Sequence, residues 1–367
     1  MNVGLILIAN QTKGGVFQYS ISFLNSIIQN KRIDKVIVYT NLKEIEIDNV
    51  EIIRIKNYRF LFLFGLLIGI LNFRINFLFR KPNIIISPTY SPLLFLTTRK
   101  FIYTLHDLQE LYFPEYFKKH IILWRKFMYS KLSKKAFRII TESSHVKGDI
   151  SKHFKVPYEK IEVIESPPIF SKIDEDFNLL NNYQELTLPY IFFPAQFWKH
   201  KNHLRVISAF SRLLIDHKNL ILVLTGNKIR EYSKIINLIK ELNIQENVKF
   251  ISNIPQNHMP YFFQNARIVI APTLYESISI PVFEAFYYKV PVCASGVYAI
   301  IDQVGDAGEL FDPYSVDSIL NSMKKLINSN EISRDDYISK GLKKLNYYST
   351  KRFNTLINKC IYGDQIN

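Results

Sequence analysis

Two glutamates eight positions apart bracket a helix start in the run Pro272-Thr273-Leu274-Tyr275-Glu276-Ser277-Ile278-Ser279-Ile280-Pro281-Val282-Phe283-Glu284-Ala285. Pro281 suits the first turn of a helix, which puts Glu276 in the preceding loop and Glu284 about one turn inside. The backbone amides of residues 278 to 282 lie between them and can hold an anion. Two carboxylates beside such a site repel a phosphate unless they are aimed at neighbouring hydroxyls, as on a sugar and a ribose. The plainer reading is one loop acid and one ordinary helical acid.

Three other places carry similar potential. Tyr190-Ile191-Phe192-Phe193-Pro194 reads as a strand, followed by Ala195-Gln196-Phe197-Trp198-Lys199-His200-Lys201-Asn202 and a helix with Leu204, Ile207, Phe210 and Leu214 on one face. Lys201 and the first amides of that helix direct a charge and a dipole at one spot, which suits a diphosphate. Phe197 and Trp198 imply that the loop is packed. Gly14-Gly15, after Gln11-Thr12-Lys13, opens a helix with Phe17, Ile21, Leu24 and Ile28; paired glycines let amides approach an anion, though such a pair is more often only a turn. The spacing fits neither a dinucleotide fingerprint nor a phosphate loop. His106-Asp107 follows the strand Phe101-Ile102-Tyr103-Thr104-Leu105; it is either a surface pair or a carboxylate that fixes the tautomer of its neighbour and raises its basicity.

What must position these groups is a series of short apolar strands alternating with longer amphipathic stretches, the pattern of a parallel α/β sheet. Strands are expected near 3–8, 35–39, 50–55, 84–87, 101–105 and 137–141, and again near 190–194, 220–225, 247–251, 267–271 and 291–294. A polar stretch at 171–188 separates the two series, so the expected division is 1–183 and 184–349, with a last helix in 350–367 that can cross back onto the first domain. In open parallel sheets ligands sit beyond the carboxyl ends of the strands, where all four places fall.

Composition narrows the class. The 367 residues are 48% hydrophobic, enough for two cores, which excludes disordered and fibrous proteins. Cys293 and Cys360 stand far apart in no metal-like spacing, so a reduced cytoplasm fits best. Met1-Asn2-Val3-Gly4-Leu5-Ile6-Leu7-Ile8 reads as a buried strand rather than a signal peptide. The net charge of +15 is concentrated in residues 1–183, with 26 Lys and Arg against 16 Asp and Glu. Lys118 to Arg138, including Lys119, Arg125 and Lys126, contains no acid and is interleaved with Trp124, Phe127 and other apolar residues. It is either a helix with an ordinary core face or one attracted to an anionic membrane surface; nucleic acid is the weaker partner. Phe60 to Leu71 carries no charge and is too short to span a bilayer, which needs about 20 residues. A buried helix is the default there, and a monotopic membrane contact the alternative.

Taken in order, the Gly14-Gly15 loop, His106-Asp107, Thr141-Glu142-Ser143-Ser144 before a helix, Lys201-Asn202, the Glu276–Glu284 run continuing to Lys289-Val290-Pro291-Val292, and Gly308-Glu309-Leu310-Phe311-Asp312-Pro313 resemble family 4 of the retaining glycosyltransferases. The stretch from Phe193 to His203 is similar to a branch that builds bacterial surface polysaccharides, often from mannose or rhamnose donors. The resemblance implies the GT-B fold: α/β, two facing Rossmann-like doubly wound parallel-sheet domains with an interdomain cleft, the first binding acceptor and the second the nucleotide-sugar. It implies Lys201 on the donor diphosphate, Glu284 on the ribose, Glu276 on the transferred sugar, His106 near the reacting centre and Gly15 near the phosphates, with Gly14, Gln196, Ser277, Ile278, Ser279 and Ile280 completing the donor site. Gln196 stands where the family usually has arginine, and Ser277 and Ser279 where it usually has glycines. Neither metal nor cofactor is expected, because Lys201 and helix N-termini supply the charge. The expected protein is cytoplasmic and peripheral at the inner membrane face, with a glycan or lipid-linked acceptor. A sugar-nucleotide epimerase of the same fold and a non-catalytic nucleotide-sugar-binding partner are the alternatives.

Overall fold

The computed structural model describes the chain apart from residues 9–13, 43–46, 171–182, 184–185, 228–230, 253 and 364–367. The chain divides into two compact units, Met1–Pro167 with Tyr348–Asn367, and Pro168–Tyr347. Most of the polar stretch on which the boundary at 183 rested, including Asp174 and Asp176, lies outside the described residues.

The first unit holds β1 (Asn2–Leu7), β2 (Lys35–Thr40), β3 (Glu51–Arg54), β4 (Ile84–Ser87), β5 (Lys100–Thr104), β6 (Arg138–Thr141) and β7 (Ile161–Val163). The second holds β8 (Tyr190–Pro194), β9 (Ile221–Thr225), β10 (Val248–Ile251), β11 (Ile268–Ala271), β12 (Val292–Ser295) and β13 (Glu309–Phe311). The sheet orders are β3-β2-β1-β4-β5-β6-β7 and β10-β9-β8-β11-β12-β13, with parallel pairing throughout. Runs such as Ile84-Ile85-Ile86 and Ile268-Val269-Ile270 are buried on both faces, as parallel strands sandwiched between helices must be. In each sheet the order turns back at one place, between β1 and β4 and between β8 and β11, and the loops leaving those strands are where ligands bind in such folds.

The helices that matter here are α1 (Gly14–Ile28), α2 (Tyr58–Ile70), α3 (Lys119–Lys135), α4 (Ser144–Phe154), α5 (His203–Leu213), α6 (Ile280–Tyr287), α7 (Ala299–Val304) and α8 (Thr350–Tyr362). Gly14 and Gly15 open α1, and the preceding Gln11–Lys13 lie outside the described residues. In the first unit, α8 buries Phe353, Ile357, Cys360 and Ile361 in the core that α1 fills with Tyr19, Phe23 and Leu24. Phe353 meets Tyr19 and Phe23 edge-on, at ring distances of 6.2 and 5.6 Å.

One helix of this unit departs from its default reading, and a second has the ordinary core face that was one of its two readings. α2 is not a buried helix: it buries only Gly65 and Gly69, and Phe60, Leu63, Leu67 and Ile70 are exposed. α3 buries Met128, Tyr129 and Leu132 as core, while Leu123 and Phe127 stay exposed. Among the described residues no helix is long and apolar enough to cross a membrane.

Candidate functional site

In the second unit the loops after β8 and β11 are tied together at the point where the strand order turns back. After β8 the chain makes a single 3-10 turn, Lys199–Lys201, and enters α5 through Asn202, which sits in the left-handed region at φ 64°. Asparagine tolerates that conformation, and burial of its side chain fixes it: Nδ2 donates to the Pro313 carbonyl at 2.8 Å, and Oδ1 accepts from Arg205 at 2.9 Å. The Leu274 amide donates to the His200 carbonyl at 2.7 Å, holding the β11 loop against the β8 loop. Lys201 and Glu276, 75 positions apart, meet there as an ion pair with side chains 15% and 18% exposed. Both retain an open edge.

Glu276 leads into α6, whose second residue is Pro281. The amides between the two glutamates are fewer than the sequence implied. Proline has no N–H, and the Ser279 amide donates to Gln303 Oε1 at 2.8 Å, while Gln303 Nε2 donates back to the Ser279 carbonyl at 2.7 Å. That leaves Ile278, Ile280 and Val282 to offer amides, because the first turn of a helix does not pair its own. Ser279 is itself buried, whereas Ser277 and Ile278 are half-buried. Glu284 is half-buried one turn on, with protein atoms crowding its carboxyl and no partner among the described residues; burial pushes it up to about 8. A carboxyl held protonated in this way can donate to one hydroxyl and accept from another.

The remaining expected donor residue is engaged within the fold. Gln196 Oε1 accepts from the Asn227 amide at 3.0 Å, tying the β8 loop to the β9 loop rather than standing as a cation substitute. Phe197 is buried as expected, but Trp198 is exposed. His203, at the start of α5, stacks on Phe193 at 4.2 Å, and burial, with Lys201 and His200 nearby, lowers its pKa to about 3, so it is a neutral core ring.

In the first unit His106 has a different partner from the one the sequence offered. Asp107 accepts the Gln109 amide at 3.2 Å, two residues on along the chain. The carboxylate on His106 is that of Glu142, at 2.7 Å from Nδ1, and Nε2 lies 2.9 Å from the Pro88 carbonyl. These groups follow β5, β6 and β4, neighbours in the sheet. Both ring nitrogens therefore face acceptors, an arrangement that only the imidazolium satisfies. Burial pulls the His106 pKa down, but the Glu142 charge and hydrogen bond, Asp107 and the Pro88 carbonyl together raise it above the usual value. Tyr19 closes one side, its ring 4.8 Å away edge-on. Glu142 was visible in the sequence only as part of a helix-start motif, and no local signal ties it to a histidine 36 positions earlier.

Of the four cations expected at a membrane, Lys118, Lys119 and Lys126 are exposed. Arg125 is not free: it pairs at 3.0 Å with Glu110, which is 3% exposed, and lies over the Phe117 ring. Reversing its charge would bury two carboxylates together.

Known proteins add a family to this geometry. The sequence model for "Glycosyltransferase Family 4" matches residues 14–167, and that for "Glycosyl transferases group 1" residues 179–344. Among curated proteins, O-antigen chain mannosyltransferase B of Escherichia coli is 26% identical over 221 residues, 59% of this chain and 58% of that one. The O-antigen chain mannosyltransferase RfbU of Salmonella typhimurium is 24% identical over 243 residues, 65% and 64% of the two chains. The matched region thus spans about three-fifths of these relatives. The structure of HepE from Anabaena in complex with UDP and glucose aligns with a TM-score of 0.76 at 14% identity, over 98% of this chain and 99% of that one, so the fold is shared. By its two matched regions, its paired parallel sheets and this likeness, the chain belongs to glycosyltransferase family 4, with the GT-B fold.

Proposed function

We propose that this chain is a retaining glycosyltransferase that moves a hexose, mannose or rhamnose, from a nucleotide-sugar donor to a glycan or lipid-linked glycan in surface-polysaccharide assembly, working peripherally at the inner face of the membrane. The observation that carries it is the Lys201–Glu276 pair beside the start of α6, at the turning point of the second sheet. A cation, three amides and two carboxylates in one loop cluster match a diphosphate flanked by two polyols. The relatives' mannosyltransferase names and the complex of HepE with UDP and glucose support the donor class.

In this reading the bond from the sugar C1 to the diphosphate oxygen breaks, and Lys201 with the α6 amides stabilises the charge that develops. The acceptor hydroxyl attacks C1 on the face the diphosphate leaves, and its proton passes to a diphosphate oxygen. Glu276 orients the transferred sugar and Glu284 the ribose. No metal or cofactor enters the scheme.

A thermal-shift panel of nucleoside diphosphates tests it. A ligand present at 100 times its dissociation constant stabilises by about 2.7 kcal/mol. One base should stand out, and its shift should shrink in Lys201→Ala. A flat panel would count against the donor site, and interconversion of the donor sugar without a transferred product would indicate an epimerase.

A further inference from the structure

The outward face of α2 is the largest feature of the first unit that the proposed chemistry leaves unused. Phe60, Leu63, Leu67 and Ile70 recur at helical spacing on one side, each at least half exposed, and Leu71 and Phe73 extend the surface past the helix end. The inward side carries Gly65 and Gly69 beside the partly buried Leu61, Phe64 and Ile68. A Cβ at Gly65 would lie 2.5 Å from the Pro92 carbonyl oxygen, and one at Gly69 2.7 Å from the Phe95 ring. The helix is therefore seated on the turn Pro92–Leu96 at backbone distance; Leu61, Phe64 and Ile68 pack against the core, and the Phe60–Leu63–Leu67–Ile70 stripe is left on the outside. An apolar surface of this continuity marks an interaction site.

Charge identifies the occupant. Residues 52 to 106 contain eight Lys and Arg and no Asp or Glu. Arg59 stands in the first turn of α2, where Tyr58, Arg59, Phe62 and Leu63 line a cavity of about 370 Å³. At the other end, Lys135 of the acid-free helix α3 donates to the Asn72 carbonyl at 3.0 Å, joining the basic helix to the turn that ends α2. A second copy of this face would bring like charges together, whereas a bilayer with anionic headgroups meets them with opposite charge around a hydrocarbon interior. Thirteen residues cannot span that interior, but they can lie within its interface.

We propose that α2 inserts its Phe60–Leu63–Leu67–Ile70 stripe into the acyl boundary of an anionic phospholipid bilayer, so that the first unit is held by apolar insertion and only guided by its charge. This rests on the reading that the chain works at a membrane, and makes α2 the element that enters the lipid while the basic helix α3 supplies charge.

The test uses the full chain with vesicles of phosphatidylcholine alone and of phosphatidylcholine mixed with phosphatidylglycerol. Wild type should float with the mixed vesicles and retain a third or more of its binding from about 0.1 M to about 1 M salt, where the Debye length falls from about 10 to about 3 Å. Leu63→Glu with Leu67→Glu should reduce binding about tenfold or more. Lys118→Glu with Lys119→Glu and Lys126→Glu should reduce it about threefold. A Leu63→Trp variant should gain fluorescence that acyl-chain-brominated lipid quenches. Absence of that quenching, undiminished binding by the Leu63→Glu, Leu67→Glu protein, or loss of all wild-type binding at high salt would overturn the inference. So would a wild-type dimer that the two glutamates dissociate, because the occupant is then a second copy. Hydrolysis of a soluble nucleotide-sugar separates the two readings. It should be unchanged by the α2 substitutions; activity without vesicle binding removes only the insertion, and vesicle binding without activity on any donor removes only the transferase.

Discussion

The charged groups behind the two sheets are held in opposite ways. Lys201 and Glu276 neutralise one another, and each keeps some contact with solvent, so either can exchange its partner for a ligand of the right charge. His106 has both ring nitrogens committed, one to a carboxylate only 6% exposed and one to a backbone carbonyl. Releasing it would strand Glu142 as a buried, unpaired charge, which is costly. The loop pair thus has the character of binding machinery and the histidine clamp that of a fixed positive centre.

Lys201→Ala should lower transfer about a hundredfold or more, the scale of losing one preorganised charge stabiliser, with the fold intact by circular dichroism. Glu276→Gln should lower transfer about tenfold while tightening a bare nucleoside diphosphate about threefold, because Lys201 no longer has a carboxylate to leave. Isothermal titration beside a transfer assay reads both; weaker diphosphate binding would make the ion pair a structural brace.

Glu142→Gln addresses the other side of the comparison. His106 gains its proton from the native surroundings, so its stabilising contribution is complete below the ordinary value of 6.5 and is lost as pH rises through the raised native value. The variant should therefore lose stability below that window and converge on wild type above it. A melting-temperature difference independent of pH would mean that the clamp carries no charge.

Glu284 gives a smaller effect of the same linked kind. Its native pKa of about 8 against an ordinary 4.5 makes the folded protein hold a proton through that interval, so stability falls as pH rises across it. Glu284→Gln should melt a few degrees above wild type near pH 8.5 and equally near pH 5. The smallest expected effect is none: transfer in excess chelator should match transfer without it if, as proposed, Lys201 and helix amides stabilise the leaving diphosphate. Loss that magnesium or manganese restores would contradict that mechanism.

The strands from β1 to β6 and from β8 to β12 were legible because each is a short run rich in apolar, β-branched or aromatic residues. β7 and β13 were not, since three residues are too short to show a period. The loops of the second sheet were legible for a related reason: Lys201 and Glu276 each follow such a strand directly, and the sheet order brings the two strands side by side. The Glu142–His106 pair was hidden by sequence distance. The orientation of α2 was hidden because thirteen nearly uniform apolar residues have no face to read, and only contact with Pro92 and Phe95 shows that the glycines turn inward. Gln303 was invisible as the group that occupies the Ser279 amide, since a glutamine in a short helix carries no signal.

In the proposed reaction the second unit holds a donor whose sugar leaves and is captured on one face. Nuclear magnetic resonance of the product formed from the donor that the diphosphate panel selects reads the configuration at C1 directly, with Lys201→Ala run in parallel. The anomeric configuration of the donor should be retained in the product, and the folded variant should give about a hundredfold less product. An inverted linkage, or near-normal product from Lys201→Ala, would contradict it.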